Sequence, residues 1–217
     1  MELTKNNIII GVISFIALSV FLTIVYISSN QTSPTQIIEA LKKIKPDDHV
    51  AWSSEKKNIL IEYSDFQCPA CKATHEFFKN QVEASGSANN AISKKITLVY
   101  RHFPLRGAHP YTDRASWAVE SASIQGKFWE YSDVIFKNQE IWAKSDNPEI
   151  LFDTYAKDLN LDVEKFKSDR LSQQVKDRVN LDASEGVKYG ISSTPTLFLN
   201  GEKLEYRTYD ELLSKLK

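Results

Sequence analysis

Asp65–Phe78, DFQCPACKATHEFF, holds both cysteines of the 217-residue chain, Cys68 and Cys71, with two residues between them. Three uses of such a pair compete. As a structural cross-link it would close so short a loop that it stabilises the fold by only about 2 kcal/mol. As half of a metal site it lacks partners, because structural zinc takes four ligands, usually from a second Cys pair or two close histidines. His75 follows Cys71 by one helical turn, but His49, His102 and His109 are scattered. As a redox dithiol, the disulfide itself is the reactant, and the flanking sequence must then supply a fold that exposes one sulfur and buries the other.

The flanks have that organisation. Upstream, NILIEYSDF is a short apolar run rich in β-branched and aromatic residues and reads as a buried strand. KATHEFFKNQVEAS has helical spacing through Phe77, Phe78 and Val82, with Gly86 as its stop. KKITLVYRHF reads as a second buried strand closed by Pro104. Strand, helix, strand at this spacing predicts a right-handed βαβ unit with parallel strands. From about residue 110 to 190 the pattern turns helical, with aromatic stripes through Trp117, Phe128, Tyr131 and Trp142 that read as core packing between helices. Asn147 and Pro148 mark one helix start. The end is β again: TPTLFLNGEKLEY places two short strands around Asn200–Gly201, a strong hairpin signal. YDELLSKLK closes as an amphipathic helix on Leu212, Leu213 and Leu216.

The N-terminus is different. Ile8 to Ile27, IIIGVISFIALSVFLTIVYI, is free of charge and long enough to cross a bilayer of roughly 30 Å. A cleaved signal peptide would have a shorter apolar stretch and a small-residue cleavage site, and VYISSN matches that poorly. The expectation is an uncleaved anchor over residues 1–27. Residues 28–46 form a linker and a short helix in which Ser33 and Gln36 make a capping box around Pro34. The folded domain is placed at 47–217. By bare count, Lys42, Lys43 and Lys45 against Lys5 favour the domain inside; those lysines belong to a folded helix, so the domain is expected outside. The composition, 42% hydrophobic and 25% charged with a formal net charge of −1, gives no nucleic-acid footprint.

YSDFQCPAC, YRHFPL, HPYTDRASWAVESASIQGKFWEYSDVIFKNQEIW and GISSTPTLFLNG, in that order, resemble the DsbA-like branch of the thioredoxin superfamily, above all its membrane-anchored thiol-disulfide oxidoreductases. The resemblance runs from about His49 to the C-terminus. It implies an α/β thioredoxin fold with a helical insertion over about 110–190, preceded by one N-terminal transmembrane helix. Cys68, at the start of a helix beginning at Pro69, would be the nucleophile, because helix-terminal N–H groups and the dipole stabilise its thiolate. Cys71 would be the buried resolving thiol.

The resemblance also makes Pro195 a cis-proline facing the dithiol, although an isolated X–Pro bond prefers trans. The Thr194 backbone would pair with an extended substrate segment, and Pro69 and Ala70 would join it in contacting substrate. Glu62 aligns with a buried acid that moves the proton of the resolving thiol; the alternative is a strand-end glutamate pointing to water. Some relatives carry histidine between the cysteines where this chain has Ala70, so the backbone alone would support the Cys68 thiolate.

The function implied is an extracytoplasmic oxidoreductase that introduces disulfides into reduced exported proteins. A quinone-linked membrane thiol oxidase would reoxidise it, and no metal or organic cofactor is implied. A reductase or isomerase of the same fold remains open, as do a non-catalytic holdase and a metallochaperone using Cys68, Cys71 and His75.

Overall fold

The computed structural model describes residues 5–29, 33–84, 86 and 88–217. The chain divides into two units, Met1–Gln36 and Ile37–Lys217. In the first, helix α1 spans Lys5–Ser29, and its described apolar side chains, among them Phe15, Ile16 and Phe21, are exposed. The side chains of Ile8, Ile9, Ile24 and Ile27, part of the expected membrane span, lie outside the described residues. Among the described residues no helix is long and apolar enough to cross a membrane. Helix α2, Pro34–Ala40, opens on a reciprocal cap: Ser33 N–H donates to Gln36 Oε1 at 2.9 Å, and Gln36 N–H to Ser33 Oγ at 3.3 Å.

The second unit begins at Ile37 because Leu41 is buried and Lys45 is tied to the distant Asp182 and Glu185 at 2.9 and 2.8 Å. Its centre is a five-stranded sheet in the order β1-β3-β2-β4-β5. The strands are β1 His49–Trp52, β2 Asn58–Ser64, β3 Ile96–His102, β4 Thr196–Leu199 and β5 Glu202–Lys203. β2 and β3 run parallel, as the βαβ reading requires, and β1, β4 and β5 each pair antiparallel. Every residue of β3 and all but the first of β2 are buried, as expected for strands covered on both faces.

Alternation along β2 sends Ile59, Ile61 and Tyr63 to one face, where they pack with Val99, Phe103, Ile191 and Phe198. Leu60, Glu62 and Ser64 go to the other. On that face lies helix α3, Pro69–Phe77, extended by a wider π-helical turn over Phe78–Glu83. The expected single helix is thus two pieces. Helix α4, Asn90–Lys95, follows, with no counterpart in the sequence reading. Neither had β1: four residues are too short to show a period, and Trp52 at φ 68° ends the strand.

The helical insertion is α5 Thr112–Ile124, α6 Phe128–Lys137, α7 Gln139–Trp142, α8 Pro148–Asp158, α9 Val163–Leu171 and α10 Gln173–Lys188. Its aromatic stripes are core except at Trp117, which is only partly buried and lies under Lys176. Phe128, Tyr131, Trp142, Phe152 and Phe166 are buried in one cluster that also contains Phe66, Cys68 and Cys71. Helix α11, Tyr209–Leu216, buries Leu212 and Leu216 beside Phe77 of α3 and Phe78 of the π-helical turn.

Candidate active site

Cys68 is the cap residue of α3, in extended backbone conformation, with Pro69 as the first helical residue. Proline suits that place because its missing N–H would have no partner there anyway. Cys71 follows by one turn. Both thiols are free; Cys71 is fully buried, while Cys68 keeps 6% of its surface exposed. The Thr194–Pro195 peptide bond is cis, and Cys68 Sγ lies 3.5 Å from the Thr194 carbonyl oxygen. Antiparallel β4 leaves this segment directly after Pro195, so the β2–β4 pairing delivers it to the dithiol.

The two sulfurs have opposite acidities. Cys68 is pulled down to about 5, first by donation from the Cys71 thiol, then by the Thr194 side chain and the N–H groups of Cys71 and Ala70, against burial. The Thr194 hydroxyl is buried and closes no hydrogen bond with a protein atom. Cys71 is pushed well up by burial and by the negative charge of Cys68 and Glu62. A proton at this pair therefore sits on Cys71 and the charge on Cys68, the arrangement in which Cys68 is the more reactive sulfur.

Glu62 is 5% exposed, so it is not a strand-end side chain in water. Burial lifts its carboxyl to about 6, with Ser64 opposing. It lines a cavity of about 440 Å³ with Tyr100, His75, Asp133, Trp129 and Phe136. The Ser64 side chain acts on Glu62, Cys71 and Tyr100 alike, yet Ser64 Oγ and Tyr100 Oη close no hydrogen bond with a protein atom. Buried hydroxyls left this way are suited to water. Cys71 thus has a carboxyl of intermediate acidity and two hydroxyls around it, beside a cavity.

Two residues of the site have no signal in the sequence. Asp65 is fully buried and organises the loop before Cys68. Its carboxylate accepts from Gln67 N at 2.7 Å, Leu105 N at 2.8 Å and Thr112 Oγ1 at 2.6 Å, and pairs with His109 Nδ1 at 2.7 Å. Its backbone N–H points at Cys71 Sγ, 3.4 Å away. Gln139, from α7, donates through Nε2 to the carbonyls of Phe66 and Cys68 at 2.9 and 3.0 Å. Only the order of the chain in space could have placed either.

His75 pairs with Asp133 at 2.8 Å. Among the described residues, the group whose ligand atoms converge for a metal is not Cys68, Cys71 and His75 but His49, His102 and Glu120, within 4.8 Å of one another.

Comparison with known proteins bears on the fold. The family model described as Thioredoxin matches residues 45–217. A thioredoxin-like oxidoreductase from Silicibacter pomeroyi superposes with a TM-score of 0.65 at 20% identity, over 82% of this chain and 94% of that one. Oxidised BdbD from Bacillus subtilis gives 0.64 at 18% identity, over 78% and 90%. These identities establish the fold. By sequence, the Na(+)/H(+) antiporter NhaA 1 of Mycolicibacterium vanbaalenii is 35% identical over 170 residues, 76% of this chain but 25% of the antiporter. The chain spans about a quarter of the length of the curated relatives it matches, so ion exchange is said of those longer proteins alone.

Proposed function

This chain belongs to the thioredoxin family, and from that premise we propose that it is a DsbA-type thiol-disulfide oxidoreductase that oxidises exported proteins outside the cytoplasm. The observation that carries this is the asymmetry of the pair: an acidic Cys68 at a helix start facing Thr194–cis-Pro195 that keeps 6% of its surface exposed, and a fully buried Cys71 that holds its proton.

In the oxidised enzyme, a client thiolate attacks Cys68 Sγ. The client–Cys68 bond forms, the Cys68–Cys71 bond breaks, and Cys71 leaves with the electron pair. Cys71 then takes a proton, relayed from solvent by the Glu62 carboxyl, whose charge acts on this thiol. A second client thiolate attacks the client sulfur of the mixed disulfide and expels Cys68 as thiolate. The client gains one disulfide and the enzyme ends as the dithiol, two electrons richer. The backbone of Thr194 pairs with the extended client segment, and Pro69 and Ala70 flank the attacked sulfur. A quinone-linked thiol oxidase of the membrane then removes the two electrons.

The direction of flow follows from the thiolate. A stabilised Cys68 thiolate stabilises the reduced form and makes the disulfide a good oxidant. Location rests on α1, whose uncharged Ile8–Ile27 stretch matches a bilayer in length and whose described apolar side chains are exposed. We read it as an uncleaved anchor with the domain outside, where disulfides persist. Thiol trapping of the Cys68–Cys71 pair in growing cells tests both points at once. The pair should be mostly oxidised; a mostly reduced pair would turn the reading to a reductase facing thiol buffers.

A further inference from the structure

His49, His102 and Glu120 are far apart in the chain and come from three elements, β1, the end of β3, and α5. Pairing of His49 with Tyr100 across β1 and β3 brings the two histidines to neighbouring strands, and α5 lays Glu120 between them. Both imidazole Nε2 atoms lie 2.6 Å from the same oxygen, Glu120 Oε1. His102 is fully buried and Glu120 is 5% exposed. His102 Nδ1 has no partner, so Nε2 alone orients that ring. His49 is half-buried and stacked on Phe128 at 3.5 Å.

A carboxylate this deep needs polar or cationic partners, and at Oε1 the two imidazoles are those partners. The nearby Arg178 makes its direct contacts with Asp182 at 2.6 Å and the Asp47 carbonyl at 3.0 Å and acts on Glu120 through its charge alone. His49 and Glu120, but not the fully buried His102, line a cavity of about 600 Å³ whose wall carries the further carboxylates of Asp47 and Asp177 against that one guanidinium. Entry and surroundings both suit a small cation.

We propose that His49, His102 and Glu120 form a zinc-binding site, with the remaining coordination positions open to this cavity. Two imidazoles and one carboxylate suit zinc, whereas calcium and magnesium prefer all-oxygen sets. Zinc bonds of about 2.0–2.1 Å at tetrahedral angles place ligand atoms about 3.3 Å apart. The ligands must therefore spread by about 0.7 Å, and half-buried His49 on the edge strand is the one with room to move. The ion would tie β1 to β3 and to the helical insertion. It shares no ligand with the dithiol.

The test uses the full chain, stripped with a chelator and with Cys68–Cys71 oxidised so that thiolates cannot compete for metal. Cobalt(II) is the probe. One equivalent should give visible d–d bands without sulfur-to-cobalt charge transfer, and zinc should displace it. His49→Ala and Glu120→Gln should each weaken zinc by more than the about 10–100-fold that losing an outer hydrogen-bond partner costs. His49→Ala, at a half-buried edge position, remains informative if Glu120→Gln fails to fold. No stoichiometric binding by the oxidised protein, or wild-type affinity in either folded variant, would overturn the site and leave a hydrogen-bonded His–Glu–His cluster only.

Discussion

Replacing Cys71 by alanine removes the largest single cause of the low Cys68 pKa, the hydrogen bond that the Cys71 thiol donates to the Cys68 thiolate. A hydrogen bond to a charged group contributes about 1.5–3 kcal/mol, and one pKa unit is about 1.36 kcal/mol. Loss of the donor should therefore raise Cys68 by about 1–2 units, from about 5 to about 6–7. At pH 7 the thiolate fraction would fall from nearly complete to as little as roughly half. Cys71→Ser keeps a hydroxyl donor at the same place and should raise Cys68 less. Thiolate absorbance titration of both variants, checked by alkylation rate against pH, gives the two values directly. A Cys71→Ala protein still titrating near 5 would refute the reasoning. The helix-terminal N–H groups and Thr194 would then set the acidity alone.

Glu62→Gln separates the stability cost of the buried acid from its use. Its folded pKa is raised from 4.5 to about 6, so ionising it disfavours the fold above pH 6, whereas below pH 4.5 it is neutral in both states. The variant should be more stable by about 2 kcal/mol at pH 7.5 and unchanged near pH 4; equal denaturation midpoints at pH 7.5 would contradict this. Ala70→His should lower Cys68 further and make the disulfide more oxidising. Glutathione equilibration would show it at roughly 30 mV for each factor of ten, and an unchanged pKa would mean that position 70 does not tune the site.

What the sequence shows of this fold is what local signals carry. β2, α3 and β3 stand out because β-branched runs, a proline at a helix start and a glycine stop act over a few residues. The hairpin at Asn200–Gly201 and the capped α2 are visible for the same reason. β1 is not, since HVAW becomes a strand only by pairing with β3 across half the sheet. The π-helical turn after Phe77 likewise follows from packing rather than periodicity. At the site, the CPAC pair and Pro195 can be picked out by motif. Asp65 and Gln139 cannot: each acts through groups that the chain brings to it from 44 and 73 residues away. The same holds for His49, His102 and Glu120, which lie apart in sequence and meet only because β1 joins the edge of the sheet and α5 crosses over it.

The central claim is that Cys68 forms the mixed disulfide with the client and Cys71 is its resolving partner, with exported proteins as the proposed clients. Cys71→Ser and Cys68→Ser variants expressed in cells, alkylated at quench and separated without reductant, test it most directly. The account predicts mixed disulfides between Cys68 and client proteins in the Cys71→Ser strain, released by reductant, and none in the Cys68→Ser strain. Equal trapping by the two variants, or trapping by Cys68→Ser alone, would contradict it.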